Sequence, residues 1–174
     1  MTRRLHIGGW TRVDGWEVLS AEPGECVDHV GNANDLSRFS DETFFEIYAS
    51  HVLEHLDYTG EIQHGLKEWH RVLQRGGRVS ISVPDLEVLA SMYIAKDRYS
   101  AADRFMIMRM IFGGHVDKHD YHVIGLDETF LAGYLLDAGF SNPTRVDDLG
   151  LFHDTSAMKF KGVAISLNMT ATKP

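Results

Sequence analysis

Apolar positions along the chain form short β-branched runs that alternate with longer stretches spaced by three and four residues, the pattern of βα units stacking on a mainly parallel sheet. Arg4 to Gly8 (RLHIG) reads as a strand entering a glycine turn, Trp16 to Leu19 (WEVL) as a second strand and Val27 to Val30 (VDHV) as a third. Phe44 to Ser50 (FFEIYAS) is apolar almost throughout, which suits a central strand covered on both faces. From Gly60 to Leu73, the residues Ile62, Leu66, Trp69, Val72 and Leu73 share one helical face. Arg75-Gly76-Gly77 is expected to end that helix, because a helix C-terminus commonly takes a left-handed glycine. Arg78 to Val83 then alternates as a strand that halts at Pro84.

Asp85 is the expected N-cap of a helix carrying Leu86, Leu89, Ala90 and Tyr93. Ala101 to Phe112 predicts a helix rich in Met and Phe, and Asp127 to Ala138 another, capped by Gly139. Thr144 to Val146 and Gly162 to Leu167 close the sheet as strands, with the last few residues frayed. Residues 1–174 make a single domain, long enough to bury one core and too short for two of ordinary size.

The charge balance narrows the choice of partners. With 25 acidic against 17 basic residues the formal net charge is −8, which argues against the clustered cations that DNA or RNA binding requires. Arg3-Arg4 is followed by no sustained apolar region, and every apolar stretch falls well short of bilayer thickness. A soluble chain with no export signal and no membrane partner is expected. The lone cysteine, Cys26, excludes an intrachain disulfide and a thiol-rich metal site, and fits a reducing cytoplasm.

Three stretches in fixed order, FFEIYASHVLEHL, LKEWHRVLQRGGRVSISVPD and FLAGYLLDAGF, resemble the type 11 branch of class I S-adenosylmethionine-dependent methyltransferases. The resemblance covers residues 4 to about 168. It implies an α/β, Rossmann-like class I methyltransferase fold with a mainly parallel sheet and an antiparallel closing strand. It also implies S-adenosylmethionine as cofactor, bound at the carboxyl ends of the parallel strands. Carried over residue by residue, it places Gly8, Gly9 and Trp10 at the family's glycine-rich turn, with Trp10 able to cover the cleft. Ser20 stands where the family has a ribose-binding acid, with Glu22 as the nearest carboxylate, and Asn32 and Ala33 stand beside the adenine. His51 faces the cofactor from its strand end, and Glu54 and His55 brace the turn.

The sequence departs from the family in its N-terminal half. Two adjacent glycines replace three spaced ones, and the first two connections are shorter than the dozen residues a parallel crossover normally takes. Helices there are therefore reduced. The sheet face they would cover must be covered by another chain or by the Met-rich helix, so a homo-oligomer, specifically a dimer, is expected.

His51-Val52-Leu53-Glu54-His55 also matches the H-x-x-E-H pattern of some zinc hydrolases. That chemistry needs a helix presenting both histidines, and the strand-to-loop context here disfavours it, so no metal is assigned. His115, Asp117, His119, Asp120 and His122 crowd one glycine-flanked loop, Gly113 to Gly125. A solvated loop is the plain reading; a metal site is chemically reasonable, since imidazole and carboxylate can converge, and a substrate-facing loop with one useful base, His122, is the favoured functional reading. Methyl transfer from a sulfonium needs alignment, desolvation and a base for the acceptor proton. The expected activity is O- or N-methylation of a small molecule or glycan with His51 or His122 as base. The alternative is a weakened methyltransferase-like protein acting as a binding or scaffold module.

Overall fold

The computed structural model describes residues 2–174. Strands β1 (Arg4–Ile7), β2 (Trp16–Ser20), β3 (His29–Val30), β4 (Phe44–Ser50), β5 (Leu73–Pro84) and β6 (Ser141–Val146) precede a small hairpin of β7 (Lys159–Phe160) and β8 (Val163–Ala164). The last strand is β9 (Ser166–Thr172), and the main sheet runs β3-β2-β1-β4-β5-β9-β6. β1 to β5 pair in parallel, and β9 lies antiparallel between β5 and β6. The expected sheet, with its antiparallel closing strand, is present.

Strand alternation divides the side chains between two unlike faces. Leu5, Ile7, Ile47, Ala49, Val79, Ile81, Val83, Leu167, Met169 and Ala171 form the apolar face. It is covered by α1 (Glu61–Val72) and α4 (Glu128–Asp137), together with Leu36 and Phe39 from the link before β4. α2 (Leu86–Ile94) and α3 (Ala101–Phe112) instead pack on each other around Leu89, Met92, Ile107 and Ile165. Asp85 caps α2 by accepting from Val88 N, as expected, but Met92 is buried where Tyr93 is exposed. Gly139, at φ +100°, closes α4.

The opposite face carries His6, Trp16, Tyr48, Ser80, Ser82 and Asn168, all buried. α3 does not cover it, since it packs with α2. Residues 147–157 of the same chain cross it as a strap: the Phe152 ring lies 4.2 Å from His6, 4.6 Å from Tyr48 and 5.2 Å from Trp16, measured between centroids. Asn168 Nδ2 donates to the carbonyls of Asp147 and Ser156, and Tyr48 donates to Asp154 Oδ2 at 2.7 Å. Burial pushes the Tyr48 hydroxyl well above its ordinary pKa.

The short connections work because they have little distance to cover. β1 is four residues long, so the link over residues 8–15 needs to return only about 13 Å, which eight residues span easily without a helix.

Four further expectations are corrected. α1 ends at Val72 by passing directly into extended Leu73, and Gly76 and Gly77 lie inside β5, not at a helix cap. They serve an irregularity in the β4–β5 register, where Gly76 has φ +73° and a Cβ on Gly77 would meet Phe45 O at 2.7 Å. The last strand lies later than Gly162 to Leu167, and the chain end is not frayed: Thr172 pairs with Arg78, and Lys173 N donates to Gly77 O. The third strand begins at His29, and Asp28 instead accepts from Val18 N.

Candidate active site

β1 is the point at which the sheet order reverses, since the chain moves to one side for β2 and β3 and to the other for β4. A cavity of about 600 Å³ opens at the carboxyl ends of these strands, where ligands of open α/β sheets bind. Ile7 and Gly8 line it from β1, Leu19 and Ser20 from β2, Gly31 to Asn34 after β3, and His51 to Val52 after β4. Trp10 and His55 also face it, so seven of the eight residues expected at the cofactor line the cavity: Gly8, Trp10, Ser20, Asn32, Ala33, His51 and His55. Gly9 does not line it and is buried against His6, whose ring a Cβ would meet at 2.6 Å.

Local chemistry fixes these positions. Gly8 has φ +76°, donates its N–H to Leu19 O at 2.7 Å, and would drive a Cβ to 2.6 Å from Val52 Cγ2. A side chain there is excluded by both backbone and space. Gly31 N donates to Ser20 O, holding the ends of β2 and β3 together, and Trp69 Nε1 donates to Ala33 O at 2.7 Å from beneath. Trp10 is 68% exposed, a ring at the rim with open space over the cleft.

The histidine-rich loop closes the cavity from above. Val116 to Tyr121 line it, and Lys118 Nζ and His119 Nε2 hold Glu22 Oε1 at 2.8 and 2.9 Å. The Glu22 carboxyl is held below its usual pKa by the hydrogen bonds from Lys118 and His119. Its histidines do not converge on one another. His115 stacks on Tyr121 and reaches Phe112 O, His119 takes Glu22, and His122 Nδ1 lies 3.1 Å from Met110 O.

His51 takes φ +54° at the end of β4, with Nε2 3.1 Å from Ser166 Oγ and Nδ1 3.1 Å from Glu54 Oε1. Glu54 braces the turn as expected, its carbonyl accepting from Val123 N at 2.8 Å. That bond carries His122 back toward the HVLEH turn, where its ring meets His55 with centroids 5.0 Å apart. His122 is not among the residues lining the cavity and stands behind His55. Burial holds its imidazole below the ordinary pKa, so it is neutral at pH 7. Glu54, His55 and His122 bring one ligand atom each within 4.8 Å of one another, a grouping the sequence did not reveal because it joins two separate motifs.

Comparison with known proteins agrees with this architecture. A methyltransferase-domain family matches residues 12–81, a span that begins after Gly8-Gly9 and ends inside β5. No curated protein sequence matches the chain. A SAM-dependent methyltransferase from Archaeoglobus fulgidus shares the fold with a TM-score of 0.64, covering 99% of this chain and 86% of its own at 15% identity. A second, from Thermotoga maritima and described as a possible histamine N-methyltransferase, gives 0.60 over 100% and 83% at 18% identity. A possible exported protein from Bordetella parapertussis gives 0.62 at 11% identity, over 99% of this chain, which spans only 63% of that protein's length. Among the described residues no helix is long and apolar enough to cross a membrane. A segment of the chain thus matches a methyltransferase-domain family, and the described residues share the fold of solved S-adenosylmethionine-dependent methyltransferases.

Proposed function

We propose that the protein transfers a methyl group from S-adenosylmethionine to an oxygen or nitrogen of a small-molecule or glycan acceptor. The cavity carries this reading: about 600 Å³ at the sheet's switch point, within the range of small-ligand sites. Its residues fit the cofactor. Gly8 leaves backbone free to approach closely, Ser20 and Asn32 supply hydroxyl and amide groups for ribose and adenine, and Ala33 and Trp10 supply apolar surface. When bound, the cofactor supplies an electrophilic methyl group on a sulfonium. The chain's own residues align the acceptor, exclude water with the loop over Val116 to Tyr121, and accept a proton.

His51 is the proposed base. Glu54 Oε1 stands 3.1 Å from Nδ1 on one side of the ring, and Nε2, now against Ser166, is the nitrogen that would turn to the acceptor. His122 is the second candidate, reached only past His55. We place the protein in the cytoplasm, in line with its lone cysteine, and propose a homodimer.

Isothermal titration with S-adenosylhomocysteine tests the reading. Saturable heat at micromolar ligand is expected, and silence sinks it. Silence would favour the second reading, a binding or scaffold module. That reading draws on two observations: no helix follows the glycine turn, and Glu22 is engaged by Lys118 and His119 where a ribose would need a free carboxylate.

A further inference from the structure

Glu54 is 1% exposed, and neither of its carboxylate oxygens has a hydrogen-bond partner among the described residues. A buried carboxylate is costly unless a cation or several donors compensate it. His51 Nδ1 stands 3.1 Å from Oε1, short of hydrogen-bond geometry, and the rest of the group's capacity is unfilled. His55 and His122 stand around the same carboxylate.

Both imidazoles are arranged as ligands. His55 directs Nδ1 at Tyr121 O, 3.0 Å away, and His122 directs Nδ1 at Met110 O, 3.1 Å away. A carbonyl can only accept, so each Nδ1 carries the proton and each Nε2 keeps a lone pair. Metal-bound histidines are oriented in this way, by donating the other ring N–H to a backbone carbonyl or carboxylate. The backbone holds the group together, since Val123 N donates to Glu54 O and His122 N to Phe112 O.

We propose that Glu54, His55 and His122 hold a divalent first-row transition ion at the wall of the cavity. Two imidazoles and one carboxylate suit zinc, cobalt or manganese better than magnesium or calcium, which prefer oxygen ligands. The three ligand atoms lie within 4.8 Å of one another. Ligands of a tetrahedral zinc ion at about 2.0–2.1 Å stand roughly 3.3 Å apart, so small side-chain movements close the set. Three protein ligands leave a coordination position for an oxygen, a water or an acceptor hydroxyl or carboxylate, on the side where His55 lines the cavity. The ion goes beyond the methyl-transfer reading and does not depend on it.

Cobalt(II) chloride titrated into the chelator-treated full chain tests the site. The expected result is a visible absorption band that saturates at one ion per chain and is displaced by zinc. His122→Asn and Glu54→Gln, neither of which lines the cavity, should each weaken uptake by about 100-fold or more. No saturable uptake, or unchanged uptake in both folded variants, overturns the proposal. Imidazole nitrogen NMR of the wild-type chain with zinc chloride needs no variant: shifts of Nε2 in His55 and His122 support the site, and shifts confined to His115 or His119 overturn it. S-adenosylhomocysteine heats measured on the same samples read the cofactor cavity separately.

Discussion

His6 shows how one position can make the stability of this fold depend on pH. It lies on the strap-covered face, edge-on to Tyr48 and tilted against Phe152, and its buried Nδ1 has no hydrogen-bond partner. Burial pushes its pKa down to about 4, only partly opposed by the Asp154 charge. Above about pH 6.5 the imidazole is neutral both folded and unfolded, and there is no penalty. As pH falls the unfolded chain takes the proton first, so stability declines until the folded imidazole also titrates, near pH 4. At pH 5 the loss is about 2 kcal/mol. His6→Phe should keep the ring packing and remove this component. Urea unfolding at pH 7 and pH 5 checks it, and equal pH slopes in the two proteins would refute the argument. The same scale sets what was legible in the sequence. That Gly8, Ser20, Asn32 and His51 line one cavity was legible because each lies at or just past the end of a recognisable strand, and strand ends of a parallel sheet gather at one edge. Glu54 was read only as a brace. Its company with His122 depends on a backbone bond to Val123 that no local pattern encodes.

At the scale of elements, the strap over residues 147–157 takes the place that helices of the N-terminal half would hold. Its sequence, with Asp147, Asp148 and Gly150 and no helical or strand period, gives no sign that it packs. What holds it is a polar sheet face: Asn168 and Ser166 bond its backbone, and Tyr48 bonds Asp154. Phe152 anchors the apolar part. Phe152→Ala should cost about 2 to 3 kcal/mol, below the range for a fully buried Phe because the side chain is only half-buried. A fall in the urea midpoint of corresponding size is expected, and an unchanged midpoint would show that the strap contributes nothing. Gly76-Gly77 differs from the expected helix cap for a related reason. A glycine pair after a helix is as compatible with a strand irregularity as with a cap, and only the neighbouring strand decides.

For the whole molecule, the strap removes the original ground for expecting a partner, because the face thought bare is covered by the chain itself. A different surface now supports the proposed homodimer. Ile94, Phe105 and Phe112 on α2 and α3 are 73, 58 and 56% exposed, an apolar outer side on a pair of helices set apart from the main core. Light scattering at micromolar concentration should give twice the mass of one chain, and Phe105→Asp should halve it; a monomer in the wild type refutes the proposal. The mainly parallel sheet and the cavity at the carboxyl ends of its strands were legible from the alternating pattern and the family resemblance, whereas quaternary state leaves no such pattern. The pairing of β9 carries a practical corollary. Because it runs antiparallel to β5, with Thr172 opposite Arg78, the C-terminal end emerges at the pole where Arg4 begins β1, away from the cavity. A fusion partner or surface tether joined at either terminus would leave the mouth facing bulk solvent.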